Sequence, residues 1–369
     1  MVKKTIFSII LLIFLVVIFG FFYQNFRINH PEISISDSNA AIKNIESEFI
    51  QNKPASKAFQ NPTEVKALYM TANSASMQSR VDEIINLINR KEINAIVVNV
   101  KDEDGGIFLS DSTKNLVDRL NENGIYSIAR IVVFQDKKLA EENPNVALKT
   151  KSGKIWYSKG QYWVDPESKE VWDYNLNIAD KALDMGFREV NFDYMRFPSD
   201  GAVSDIVYPV YNGKTPKEDV IAGFTQYLYS NIKKSHPDAV VSADIFAYTF
   251  LKDDLGIGQR LTKIAKNFDV ICPMVYPSHY SPGDFGFKNP AEEPYQVILK
   301  TIEAGKKKLD QAGETVKIRP WLQDFNLGAD YTPEMFRKEV QAVYDSGLKN
   351  GWMVWNPSNI YSPDYFLNK

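Results

Sequence analysis

From Val65 onward the chain alternates short apolar runs with longer amphipathic patterns, and this rhythm limits the fold more than any other feature. Strand-like runs occur at Ala67–Thr71, Ala95–Lys101, Tyr126–Val133, Val190–Tyr194, Val240–Phe246, Val270–Tyr276, Lys317–Gln323 and Trp352–Asn356. Helical periodicity lies between them, at Met77–Arg90, Thr113–Asn123, Ser168–Met185, Lys217–Ser235, Gln259–Asn267, Pro290–Ala312 and Pro333–Ser346. Eight strands joined by seven helices, beginning and ending on a strand, predict an α/β fold of the (β/α)8 TIM-barrel type over residues 64–369. A doubly wound open sheet is the alternative, but no glycine-rich phosphate loop follows the first strand.

The N-terminus has a different character. Lys3 and Lys4 precede an uncharged run, Thr5 to Tyr23, rich in Ile, Leu, Val and Phe. Nineteen residues at about 1.5 Å each nearly match a hydrocarbon core of about 30 Å. No small-residue cleavage site follows, so residues 1–23 are expected to be an uncleaved signal anchor, a single transmembrane helix. The preceding lysines place the N-terminus inside, leaving the C-terminal domain extracellular at the cell membrane. Residues 24–63 are polar and weakly patterned and read as a stalk. A net charge of -3 gives no sign of a nucleic-acid partner. The single cysteine, Cys272, excludes an intrachain disulfide, and three scattered histidines argue against a His-built metal site. No cofactor is expected.

Within a barrel strand, alternate side chains point inward, and those near the carboxyl end line the active-site mouth. Setting the apolar residues toward the helices puts Asn191 and Asp193 inside on the fourth strand, with Ser242 and Asp244 inside on the fifth. The same parity directs Tyr69, Asn99, Arg130, Tyr276, Trp321, Gln323 and Trp355 (or Asn356) to the rim. Asp102, Tyr194, Arg196, His279 and Asp324 stand just beyond strand ends. The loops 134–165, 198–215 and 277–290 are long and aromatic, with Trp156, Tyr157, Tyr162 and Trp163 in the first of them. Aromatic content of 13% suits a surface that stacks on sugars.

Two carboxylates on adjacent strands suit glycoside hydrolysis, where one is nucleophile or base and the other acid. The pair needs unequal environments. Arg130 and Arg196 would hold Asp193 ionised, while Asp244, flanked by Phe246 and Tyr248, would stay protonated. The opposite assignment stays open, as does replacement of either member by Asp102 or Asp324. Trp321, Trp355 and Tyr276 are candidates for stacking on sugar rings, and His279 for a hydrogen bond to one. The rival reading is a barrel that binds surface glycan without cleaving it.

The stretch Asn191-Phe-Asp-Tyr-Met-Arg-Phe-Pro198 resembles the fourth-strand motif of a bacterial family of inferred glycoside hydrolases with a (β/α)8 barrel, related to the alpha-amylase-type enzymes. Val241-Ser-Ala-Asp-Ile-Phe246, Met274-Val-Tyr-Pro-Ser-His-Tyr280 and Trp321-Leu-Gln-Asp-Phe325 resemble its fifth-, sixth- and seventh-strand motifs. The resemblance runs from about Lys66 to Asn356. It implies Asp193 in the nucleophile position and Asp244 in the acid/base position. Amylase-type enzymes carry Glu on the fifth strand, and here the shorter Asp244 stands there. Together these readings predict a membrane-anchored extracellular glycoside hydrolase whose substrate is a cell-surface or extracellular polysaccharide or oligosaccharide.

Overall fold

The computed structural model describes residues 60–369, which form one (β/α)8 barrel. The predicted anchor lies outside the described residues, as does the stalk apart from residues 60–63. Among the described residues no helix is long and apolar enough to cross a membrane.

The barrel strands are β1 (Val65–Met70), β2 (Ala95–Lys101), β3 (Tyr126–Val132), β4 (Glu189–Asp193), β5 (Val240–Phe246), β6 (Val270–Met274), β7 (Lys317–Ile318 and Trp321–Gln323) and β8 (Gly351–Trp355). Every neighbouring pair is parallel, and β8 pairs with β1, so the sheet closes on itself. Closure leaves no edge strand to protect. The predicted β7 is broken in the middle, where Pro320 has no N–H to give the ladder. Its carbonyl still accepts from Met353 N at 2.9 Å, so the break leaves the barrel closed.

The main outer helices are α1 (Gln78–Arg90), α2 (Asp111–Glu122), α3 (Lys169–Asp184), α4 (Lys217–Ser235), α5 (Leu261–Ile264), α6 (Pro294–Ala312) and α7 (Pro333–Asp345). Val81, Ile84, Ile85 and Ile88 of α1 recur at helical spacing and are buried. On α4, Glu218 and Asp219 occupy the first turn and Lys233 and Lys234 the last, each sign matching the helix dipole. The helix predicted over 259–267 is shorter than its pattern: α5 has a single turn and continues as the 3-10 turn Ala265–Asn267. The apolar core lies between barrel and helices, with Val190, Phe192, Val241, Ala243 and Ile245 turned into it. This is the parity that sends Asn191, Asp193, Ser242 and Asp244 into the barrel.

Inside the barrel the packing is polar. Buried Glu189 pairs with buried Arg319 and accepts from Tyr126 Oη at 3.0 Å. At the seam, Gly351 opens β8 with φ +83, and a Cβ there would lie 2.0 Å from the carbonyl oxygen of Val65. Both the left-handed backbone and the close approach of β1 require glycine. Gly351→Ala is therefore expected to lower stability by at least about 2 kcal/mol. Urea denaturation checks this.

Candidate active site

A cavity of about 420 Å³ opens at the carboxyl ends of the strands. Asp193 ends β4 and Asp244 lies within β5; both are buried. Between them sits Arg130 of β3, whose Nη2 donates to Asp193 Oδ2 and whose Nε lies 3.7 Å from Asp244 Oδ2. Arg130 is itself held by Asn99 of β2, whose Oδ1 accepts from Nη1 at 2.8 Å. Burial opposes the guanidinium charge, but Asp193, Tyr69 and Asp244 outweigh it and raise its pKa.

The two carboxylates are treated differently. Asp193 Oδ1 accepts from the backbone N of Tyr194 at 2.6 Å. Tyr194 adopts φ 54, the left-handed region that a non-glycine residue enters only at a cost of about 1–3 kcal/mol. Asp244 Oδ1 accepts from Asn191 Nδ2 at 3.0 Å and Trp321 Nε1 at 2.6 Å. Burial and the nearby charge of Asp193 push the Asp244 carboxyl up to about 8, against the pull of Arg130 and both donors. At neutral pH Asp244 therefore carries a proton. With Oδ1 occupied by two donors, Oδ2 is the oxygen left to hold it.

Of the residues singled out from sequence, ten line the cavity: both aspartates, Tyr69, Arg130, Tyr194, Arg196, Tyr276, His279, Trp321 and Trp355. The expectation that Arg196 holds Asp193 is corrected. Arg130 alone makes that ion pair, while the Arg196 guanidinium packs over Trp163 and Phe246, each at 4.8 Å. Trp321 is buried, edge-on to Tyr69 at 6.3 Å, with its indole N–H committed to Asp244. Tyr276 and Trp355 form an aromatic wall with centroids 5.4 Å apart.

Four predicted residues do not line the cavity, and two of these support it. Asn99 orients Arg130, and Gln323 Oε1 accepts from Ser278 N at 3.2 Å and Ser278 Oγ at 2.9 Å, fixing the loop that carries His279. Asp102 folds back on Gly106 N at 2.7 Å, and Asp324, pushed up to about 6 by burial, accepts from Asn356 Nδ2 at 3.2 Å. Glu103 lines the cavity and was missed. Its only sequence signal was an acidic run before Gly105 and Gly106. No cluster of His, Cys, Asp or Glu fit to hold a metal occurs among the described residues.

Ionising Asp244 in the folded state is costly, so between pH 3.8 and about 8 the unfolded chain binds fewer protons there than the native one. This group's contribution to stability is thus lost as pH rises through that window. Asp244→Asn keeps an acceptor for Trp321 and Asn191 but cannot ionise. Its melting temperature is expected to fall less than that of wild type between pH 4 and 8, as followed by circular dichroism.

Solved structures similar to this chain include glycoside hydrolases. The PgaB (BpsB) glycoside hydrolase domain from Bordetella bronchiseptica aligns with a TM-score of 0.60 at 14% identity, covering 83% of this chain and 99% of that one. The spore cortex-lytic enzyme SleL of Bacillus cereus gives 0.52 at 9% identity, over 83% and 73% of the two chains. An alpha-galactosidase of Thermus thermophilus, in complex with p-nitrophenyl alpha-D-galactopyranoside, gives 0.51 at 13%, over 82% and 60%. At these identities the likeness is one of fold. No curated protein sequence matches the chain. A family described as a putative glycosyl hydrolase domain matches residues 67–361, most of the chain and all eight barrel strands but the first two residues of β1, and the protein belongs to that glycoside hydrolase family.

Proposed function

We propose that the protein is a membrane-anchored extracellular glycoside hydrolase that cleaves a cell-surface or extracellular polysaccharide with Asp193 and Asp244. The observation that carries this reading is the unequal pair: of two buried aspartates, Asp193 is in contact with the Arg130 guanidinium, while Asp244 lies 3.7 Å from it and is pushed up to about 8. Such a split is what acid and nucleophile or base require. Asp244 delivers the proton on Oδ2 to the leaving glycosidic oxygen as the bond to the anomeric carbon breaks. Asp193, held by Arg130 and the Tyr194 N–H, attacks that carbon or takes a proton from the attacking water. Once Asp244 has lost its proton, Arg130 Nε at 3.7 Å and the indole N–H at 2.6 Å stabilise the new charge.

The wall of Tyr276 and Trp355 supports a sugar ring as the ligand, since aromatic faces pack against the C–H face of a pyranose. Anchorage rests on Lys3, Lys4 and the apolar run Thr5 to Tyr23, which would hold the barrel beside a surface glycan.

The full-length chain in detergent is to be incubated with bacterial wall glycans and exopolysaccharides while new reducing ends are counted. Asp244→Asn is expected to lower kcat by about 10²–10⁴-fold, and Asp193→Asn by at least as much. Wild-type activity is expected to fall as pH rises past about 8, where Asp244 gives up its proton. Undiminished cleavage by both variants would refute the assignment. Glycan retention without cleavage by all three proteins would establish the binding-only barrel instead.

A further inference from the structure

Three cationic side chains are buried among the described residues: Lys101, Arg196 and Arg319. Lys101 has the carboxylate of Asp136 at 2.8 Å, and Arg319 has that of Glu189. Arg196 alone has no carboxylate within 4.0 Å. Its Nη1 donates to Phe197 O at 3.1 Å and Ser199 Oγ at 3.3 Å. Its buried Nε has no partner, and no hydrogen bond within the protein uses Nη2. Rings of Trp163 and Phe246 at 4.8 Å and Tyr194 at 5.3 Å surround the guanidinium, and the side chain lines the cavity beside Asp193.

A desolvated guanidinium without a carboxylate in contact is costly, and at Lys101, Arg130 and Arg319 that cost is met by an acidic partner. Burial lowers the pKa of Arg196, whereas those of the paired Arg130 and Arg319 are raised. Aromatic faces hold the fork flat without using its donors, leaving them for an oxyanion of matching geometry.

We propose that Arg196 is the receptor for an anionic group on the sugar bound beside Asp193, so that the glycan cleaved here is acidic, bearing a carboxylate or a phosphate ester. This rests on the reading of the cavity as a glycan site. Glu103 also lines the cavity, but it is exposed, and solvent screens its repulsion more than it screens the attraction of buried Arg196.

The full-length chain in detergent is to be titrated calorimetrically with glucuronic acid, glucose 6-phosphate and glucose. At least one acidic sugar is expected to bind about tenfold or more tightly than glucose, with the preference shrinking as salt is raised. Which acidic sugar wins separates carboxylate from phosphate. Arg196→Gln is expected to abolish the preference, and Arg196→Lys to keep part of it. Equal binding of acidic and neutral sugars by wild type overturns the proposal whether or not the variants fold, as does a preference that survives Arg196→Gln. If none of the three sugars binds and no polysaccharide is cleaved, the glycan reading itself fails and this proposal with it.

Discussion

A closed barrel has no room for solvent along its axis, so every charge placed there must find its counter-charge within a few ångströms. In this protein that constraint governs the whole interior. Glu189 and Arg319 neutralise each other in a lower layer, with Tyr126 as a further donor. Ser242 links Glu189 to the layer above, where Asn191 donates to both Ser242 and Asp244. Arg130 then closes the top by standing between Asp244 and Asp193. Removing one member leaves a buried charge or donor without its partner, which costs far more than the pair itself contributes. The carboxylates of the mouth are therefore continuous with the interior that supports them.

The same chain explains why the two aspartates differ. Asp193 stands at the end of its strand, where Arg130 and a strained backbone N–H both point at it. Asp244 lies farther from that arginine, its nearest guanidinium nitrogen at 3.7 Å and its carboxyl held above the usual range by burial and by Asp193. One arginine thus holds Asp193 in contact and Asp244 only at longer range. The closeness of the pair follows from strand register: Asn191 is level with Ser242, so Asp193 and Asp244 are each two residues beyond that line on neighbouring strands.

How far this was legible in the sequence depends on where a residue stands relative to the ladder. Inside a strand, side chains alternate with a period of two, so Asp193, Asp244, Arg130, Asn191 and Trp321 could be assigned to the interior before any coordinates. Past the last ladder bond that rule lapses. Asp102 turns back into its own loop, Asp324 bonds Asn356 just past β8, Glu103 turns into the cavity, and Arg196 swings onto aromatic rings rather than onto Asp193. Trp321 shows a subtler limit: parity placed it inside, but only its depth shows that the indole is a donor to Asp244. The break at Pro320 was visible as a residue without an N–H, yet neighbouring strands bridge it on both sides.

The rim loops are latched rather than draped. Trp156 Nε1 donates to Ala202 O at 3.2 Å, tying the loop after β3 to the loop after β4. Asp165 Oδ2 accepts from Val210 N and Tyr211 N at 2.8 and 2.9 Å, reinforcing that tie. Tyr248, just past β5, bonds Asp284, and Ser281 N donates to its hydroxyl at 3.0 Å, which secures the loop after β6. Each tie satisfies polar groups that a mobile loop would leave to water. Groups fixed in this way need little free energy to reorganise when charge changes in the cavity that they frame.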